Sequence, residues 1–166
     1  MAIILDLQLA SETADLPSAP QLQQWLEAAI LPFQTDAEVT VRIGQQFFRN
    51  AVLSAYNQRC CISGLANPKL LVASHIVPWS QDDASRLNPH NGLALSALHD
   101  KAFDLGLITV DEDYRVVVSS QNTDTNDLFF NTAIASFHGR SIALPEKFYP
   151  AAQFLAFHRE HIFQRT

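Results

Sequence analysis

The feature that most constrains the fold of this chain is a series of short apolar segments in the middle of the sequence. The first, 69–77, is apolar and rich in β-branched residues, which favours a strand. A polar loop follows, and a second short strand is predicted over 92–95. Ser96 is a good N-cap for a helix over 97–105, and Gly106 stands where a helix commonly ends. This order of elements predicts a hairpin of two strands that continues directly into a helix.

Further helices and a second hairpin are predicted on both sides of this unit. Apolar residues at helical spacing indicate helices over 21–31, 44–56 and 151–164. A hairpin is expected where 107–110 pairs with 114–119 across an acidic turn. We therefore predict an α+β fold with N-terminal helices, two hairpins and a C-terminal helix.

The size of the chain and its cysteines limit its domain organisation and its compartment. At 166 residues and 48% hydrophobic, the chain is long enough for one compact domain with a sizeable core. We expect an N-terminal arm and helix over 1–40 and a main domain over 41–166. No apolar run approaches the roughly 18 residues of a membrane span, so no membrane partner is expected. The two cysteines, Cys60 and Cys61, are adjacent, which makes a mutual disulfide badly strained. A reducing compartment, the cytoplasm, fits best.

Charge is unevenly distributed along the chain. The formal net charge of −6 counts against nonspecific binding to nucleic acid, because neutralisation of phosphates supplies most of that binding. Residues 1–41 hold six acidic and no basic residues, whereas residues 42–101 hold six basic and three acidic ones. Three arginines in or beside the helix over 44–56 are candidates for phosphate contacts, and the alternative is a solvated helix face. They are Arg42, Arg49 and Arg59.

Three polar residues in the middle segments have the side chains that phosphodiester hydrolysis needs. His75 ends the first predicted strand, Asn91 leads into the second, and His99 lies in the first turn of the helix. Hydrolysis needs a base for water, a divalent cation and a scaffold that holds both. An imidazole supplies a base near pH 7, a second imidazole can bind a metal, and an Asn can brace a loop. Because the hairpin packs on the helix, we expect His75 and His99 to face each other across a pocket open to solvent.

Four stretches of sequence carry a resemblance to a known family. They read Arg-Cys-Cys-Ile-Ser-Gly, Ala-Ser-His-Ile-Val-Pro-Trp, Asn-Pro-His-Asn-Gly-Leu-Ala-Leu and Leu-His-Asp-Lys-Ala-Phe-Asp-Leu-Gly-Leu-Ile, at 59–64, 73–79, 88–95 and 98–108. Their order and spacing resemble the HNH endonuclease superfamily, specifically its bacterial, restriction-endonuclease-like branch. The resemblance extends over about residues 40–163. It implies a ββα-metal (HNH, His-Me finger) core that cleaves DNA with one divalent cation.

The resemblance also implies roles for individual residues. It makes His75 the general base, Asn91 the structural brace and His99 a metal ligand. Asp100 and Asp104 are candidates to share the ion with His99, although Asp104 is also open to a structural role at the helix end. The implied cation is Mg²⁺ or Mn²⁺, and imidazole ligation would also admit Zn²⁺ or Ni²⁺. The implied partner is DNA, and cleavage of both strands by a protein with one site favours a homodimer.

Two positions depart from the family pattern and keep other functions open. Many HNH domains place an Asp or His before the base, where it binds the metal, and this chain has Ser74 there. Many relatives carry Cys-x-x-Cys pairs for a structural zinc. In this chain Ser63 stands where the second cysteine of a pair beginning at Cys60 would be, so no structural zinc is expected. The alternatives to a restriction-like endonuclease are a catalytically weak DNA-binding or interaction module with the HNH fold, and a structural metal-binding domain.

The remaining aromatic, thiol and imidazole groups are interpreted as structural. We expect Phe103 in the core, Trp79 packed beneath the loop, and Cys60 as a buried thiol rather than a nucleophile. Most histidines in proteins are neither catalytic nor metal ligands, and four are interpreted in this way. They are His90, His138, His158 and His161.

Overall fold

A computed structural model gives the fold of the chain. It describes residues 37–82, 84–121 and 126–165, together with Gln24. The N-terminal arm, and apart from Gln24 the helix predicted over 21–31, lie outside the described residues. Helices and two small antiparallel sheets make up the described part, which agrees with the predicted α+β class.

Helix α1 (Ala37–Ala55) forms one wall of the molecule. It begins earlier than the helix predicted over 44–56, because no proline or glycine interrupts residues 37–43. Its inner face buries Phe48 and Val52 against the first sheet.

The first sheet contains the two strands predicted in the middle of the sequence. Strand β1 (Leu71–His75) pairs antiparallel with β2 (Gly92–Ser96), and His75 lies directly opposite Gly92. Strand β1 is shorter than the predicted 69–77, because a 3₁₀ turn precedes it and the chain leaves the sheet after His75. The base candidate therefore lies at the end of the sheet, where the polar loop begins.

Helix α2 (Ala97–Asp104) follows β2 without a connecting loop. Ser96 caps the helix as predicted, since its Oγ accepts the backbone N–H of His99. Gly106 follows the helix with a φ of 70°, the left-handed conformation that favours glycine at this position. These local signals fix where α2 begins and ends next to the sheet.

The second half of the chain forms another hairpin and two helices. Strands β3 (Ile108–Val110) and β4 (Val116–Val118) pair antiparallel, as predicted. Helix α3 (Leu128–Ala133) is absent from the prediction, because it is short and its apolar residues give little periodic signal. Helix α4 (Ala152–His161) packs against β3 and corresponds to the predicted C-terminal helix.

The buried core joins the two hairpins to the helices. Phe103 of α2 is 1% exposed, which confirms its predicted place in the core. Cys60 and Cys61 are buried free thiols. Among the helices that the structure describes, none combines the length and the apolar character needed to cross a bilayer.

Candidate active site

The ring of His75 is held on three sides at the end of β1. It stacks on Phe48, with ring centroids 3.8 Å apart and an angle of 8° between the planes, and it meets Trp79 edge-on at 5.5 Å. Its Nε2 lies 2.9 Å from the backbone oxygen of Arg86. A carbonyl oxygen only accepts hydrogen bonds, so the neutral ring carries its proton on Nε2. The lone pair of His75 is consequently on Nδ1.

The surroundings of His75 also favour its neutral form. Burial lowers the pKa of His75 below its ordinary 6.5, although the Arg86 carbonyl and the charge of Asp100 both act to raise it. The imidazole is therefore mostly neutral near pH 7. This is the protonation state in which a histidine accepts a proton.

Asn91 ties together the loop that follows His75. Its side chain is 1% exposed, and its Oδ1 accepts the backbone N–H of Val77 at 2.8 Å. Its Nδ2 donates to the backbone oxygens of Val77 at 3.2 Å and Ser85 at 3.4 Å. These contacts join both ends of the loop, and they are the contacts expected of a structural brace.

His75 lines a cavity of about 460 Å³ together with two carboxylates of α2. Asp100 and Asp104 are one helical turn apart, so they share a face of the helix. Burial raises the pKa of Asp100, and contacts with Ser74 and Lys101 oppose that rise. Burial and the charge of Asp100 raise the pKa of Asp104. Two neighbouring carboxylates with raised pKa values attract a cation, because a positive charge restores the stability of their ionised forms.

Ser74 adds a third oxygen to the lining of this cavity. Its side chain is 2% exposed, and its hydroxyl makes no hydrogen bond of ordinary length within the described part of the chain. The hydroxyl does interact with the carboxylate of Asp100, since that contact acts to lower the pKa of Asp100.

The donor types around the cavity can be compared with what a metal ion requires. In residues 37–82, 84–121 and 126–165, no group of three or more His, Cys, Asp or Glu is arranged to hold a metal ion. The oxygen donors at hand are two carboxylates and one hydroxyl, and the imidazoles of His75 and His158 line the same cavity. The oxygen donors fit Mg²⁺ or Mn²⁺, whereas coordination by the free Nδ1 of His75 would also admit Zn²⁺ or Ni²⁺.

His158 of α4 reaches the same cavity but is occupied by other partners. Its Nδ1 lies 2.8 Å from Thr109 Oγ1, and its Nε2 lies 3.1 Å from the backbone oxygen of Phe103, on whose ring it stacks. Burial lowers the pKa of His158 to about 4. Both ring nitrogens are bonded, in keeping with the structural role expected for this residue.

His99 does not lie in the cavity of His75, so the expectation that the two rings face each other is wrong. His99 is 3% exposed, its Nδ1 lies 2.9 Å from Ser96 Oγ, and its Nε2 lies 3.0 Å from the backbone oxygen of Ala133. It lines a separate, largely apolar cavity between α2 and α3. A metal would have to displace these hydrogen bonds to bind either nitrogen.

The pitch of α2 explains why His99 and Asp100 line different cavities. Successive residues of an α-helix point about 100° apart, whereas residues four apart lie on one face. Asp100 and Asp104 therefore share the face that lines the cavity of His75, and His99 points away from it. The motif favoured His99 as a metal ligand, but the residue of α2 that lines the cavity of His75 is the next one, Asp100.

Cys60 contacts His99 and not His75. Its Sγ lies 3.6 Å from His99 Nδ1 and accepts the backbone N–H of Ser63 at 3.4 Å. Burial acts to raise the pKa of Cys60, but the hydrogen bonds with His99 and Ser63 outweigh it and lower that pKa to about 6. The thiol is 1% exposed, as expected of a buried cysteine.

The three candidate arginines are divided between two regions. Arg49 borders a cavity of about 340 Å³ that His75 and Trp79 also line, and it donates to the backbone oxygen of Leu71 at 2.9 Å. Arg42 is exposed on the same helix. Arg59 lines another cavity, beside the two cysteines, so it does not lie with Arg49 around His75.

Sequence reasoning missed Phe48 and the Arg86 carbonyl as neighbours of His75. Phe48 stood in the predicted helix with many apolar residues, and its spacing indicated only a buried face. A backbone carbonyl carries no signal in the sequence. The four-residue spacing of Asp100 and Asp104 was a usable signal, because it places both carboxylates on one face of any helix.

Two comparisons connect this geometry to known proteins. Residues 60–111 match a family described as HNH endonuclease, and this segment contains His75, Asn91, Asp100 and Asp104. The fold is similar to that of a solved structure, a modification-dependent TagI restriction endonuclease, with a TM-score of 0.52 and 16% sequence identity. The match covers 69% of this chain and 37% of that protein, so the chain spans little more than a third of its length. The resemblance to the HNH endonucleases is thus confirmed over residues 60–111, in a fold shared with part of a restriction endonuclease.

Proposed function

We propose that the chain is a metal-dependent endonuclease that hydrolyses phosphodiester bonds in DNA, with His75 as the general base. The observation that carries the proposal is the shared cavity, in which the Nδ1-basic ring of His75 and the carboxylates of Asp100 and Asp104 occur together. The family match over residues 60–111 supports the same class of reaction. In this proposal the three residues, with the loop braced by Asn91, form the ββα-metal site that the resemblance implies, but without His99 as a ligand.

His75 would take a proton from water at Nδ1. The Arg86 carbonyl holds the opposite nitrogen, which directs the basic nitrogen away from the backbone. The charge of Asp100 stabilises the imidazolium that proton transfer creates. Asn91 holds the loop between His75 and β2 in place, and this loop carries the Arg86 carbonyl. The residues of this chain thus supply a neutral base, its orientation and a counter-charge.

A single divalent cation is part of the proposal. Asp100 and Asp104 would hold Mg²⁺ or Mn²⁺, and the hydroxyl of Ser74, which interacts with Asp100, would add an oxygen. When bound, such an ion neutralises charge on the phosphate and on the leaving oxygen. His99 is left out of the ligand set because both of its ring nitrogens are bonded within the protein.

DNA would approach from the side of α1. Arg49 beside His75, and Arg42 on the same helix, are the proposed phosphate contacts, and Arg59 would contact DNA only outside the immediate site. The name of the structural neighbour describes a restriction endonuclease. We propose a restriction-like role for this chain on that basis, with a homodimer where both strands are cut.

The test is divalent-dependent nicking of supercoiled plasmid. The variants His75→Ala and Asp100→Asn should each lose at least about a hundredfold in rate, because general-base catalysis and the cation each contribute on that order. His161→Ala is a matched control, since His161 is an exposed histidine of α4 away from the cavity. Undiminished nicking by His75→Ala would remove His75 as the base.

One observation favours a second function, a DNA-binding module with weak or absent catalysis. Ser74 stands where many HNH domains have an acidic or imidazole ligand, which leaves two carboxylates for the ion. This function predicts binding of a fluorescent duplex at low salt with no cleavage in Mg²⁺ or Mn²⁺. Replacement Ser74→Asp separates the two functions, because an added carboxylate should tighten Mn²⁺ binding and speed cleavage only in an active nuclease.

A further inference from the structure

Phe48 lies flat against His75 although the two residues belong to different elements. Phe48 is on α1 and is 2% exposed, and its ring is within 8° of parallel to the imidazole. The mechanism proposed above gives this aromatic residue no part. A face-to-face contact at 3.8 Å covers one side of the imidazole.

Gly92 makes this contact sterically feasible. It lies opposite His75 in the sheet, and a Cβ on it would be 3.0 Å from Phe48 Cζ and 2.4 Å from Val52 Cγ2. Any side chain at this position would push α1 away from the sheet or turn the phenyl ring. Glycine opposite the base therefore lets the helix bring an aromatic ring onto it.

The stacked ring limits the rotation of the imidazole. The terminal torsion of a histidine is broad and roughly two-fold, so a free ring can turn over, which exchanges Nδ1 with Cδ2 and Nε2 with Cε1. In this site a turn of the ring would break the bond from Nε2 to Arg86, and Phe48 and Trp79 confine the ring from its face and its edge. These contacts keep Nδ1 as the nitrogen that is not bonded to the protein backbone.

We propose that Phe48 is a positioning residue of the nuclease site, which holds the His75 ring with Nε2 on the Arg86 carbonyl and Nδ1 basic, and that Gly92 provides the space for it. This inference rests on the proposed function as far as catalysis is concerned. Its structural part, the orientation and tautomer of His75, does not depend on cleavage.

The structural part is tested by NMR on protein labelled with ¹⁵N in the histidine side chains. At a pH where the imidazole is neutral, His75 should show one Nε2-protonated tautomer, and the phenyl ring current should shift its carbon-bound protons upfield. In Phe48→Leu both signatures should be lost. Leu53→Ala, which removes buried volume from the same helix, is the control and should keep them. A mixture of tautomers or unshifted protons in the wild-type protein would overturn the inference without any variant.

The catalytic part is tested by steady-state nicking of plasmid. Phe48→Leu should lower kcat by roughly ten- to a hundredfold with little change in KM, because misplacing a reacting group by about 1 Å costs on that order. Leu53→Ala should keep kcat near the wild-type value. Equal kcat in Phe48→Leu and wild type would overturn the positioning role. If the wild-type protein does not cleave DNA at all, the proposed function fails, and the NMR result still decides how His75 is held.

Discussion

The carboxylates of Asp100 and Asp104 lie one turn apart on α2, and the charge of Asp100 joins burial in raising the pKa of Asp104. Each ionised group therefore costs stability that a neighbouring positive charge would restore. This pair, and not the histidine that precedes it, lines the cavity of His75. The relationship links the stability of the protein to the occupancy of its proposed cation site.

Removal of one carboxylate should stabilise the cation-free protein and abolish the stabilisation by added cation. Asp104→Asn should raise the Tm in EDTA at pH 7, because it removes the repulsion from Asp100. Millimolar Mn²⁺ should raise the Tm of the wild type by a few degrees and leave that of Asp104→Asn almost unchanged. Differential scanning fluorimetry measures both, and equal Mn²⁺ shifts in the two proteins would exclude Asp104 as a ligand.

The pH dependence of cleavage should report the neutral form of His75. The lowered pKa of His75 means that the base is deprotonated at lower pH than an ordinary imidazole of pKa 6.5. The rate should therefore rise with pH and reach its plateau at a lower pH than a base of pKa 6.5 would give. A profile of kcat/KM in Mn²⁺ from pH 4.5 to 8, run at about half-unit steps, measures this. A rate that keeps rising tenfold per pH unit above pH 7.5 would point to a different group.

Asn91 should contribute to both stability and activity. Asn91→Ala leaves the backbone N–H of Val77 buried without its partner, which costs about 1–3 kcal/mol of unfolding free energy. The loop that carries Arg86 would also lose its tie to β2. Urea unfolding and plasmid nicking should both show the defect. Asn88→Ala, which removes only a local side-chain contact to His90, is the control.

Replacement of His99 should weaken the fold and leave the chemistry largely intact. His99→Ala removes the bonds to Ser96 and Ala133, with an expected loss of about 1–3 kcal/mol in unfolding free energy. Below its Tm, the variant should keep most of its kcat and its affinity for Mn²⁺. Isothermal titration with Mn²⁺ distinguishes the structural role of His99 from the ligand role that the motif implies. If His99 were a ligand, His99→Ala should no longer bind Mn²⁺.

His158 should make the fold sensitive to acid. Its folded pKa of about 4 lies below the ordinary 6.5, so the unfolded chain binds the extra proton first as pH falls. The unfolding free energy should fall from pH 6.5 towards pH 4 by about 3 kcal/mol, at roughly 1.4 kcal/mol per unit. His158→Gln, whose amide can still donate to the Phe103 carbonyl, should flatten this slope in urea unfolding. An unchanged slope would place the acid sensitivity elsewhere.

Sequence signals that depend on neighbouring residues predicted most of the helices and strands and part of the candidate active site. The strands, the Ser96 cap and Gly106 were predictable because β-branched runs and helix ends depend on neighbouring residues. Helix α3 was missed because it is too short to show a period. The brace role of Asn91 was predicted from its place between His75 and His99, and its side chain bonds backbone groups of Val77 and Ser85.

The amino-acid sequence by itself determined the order of strand, loop, strand and helix, the end of β1 as the place of His75, and the resemblance to the HNH endonucleases. Tertiary structure alone decided which side chains of α2 line the cavity of His75. The rotation of a helix about its axis depends on how its apolar residues pack, and Phe103 packs into the core from α2. With about 100° between successive residues, that packing turns Asp100 and Asp104 towards His75 and His99 away from it.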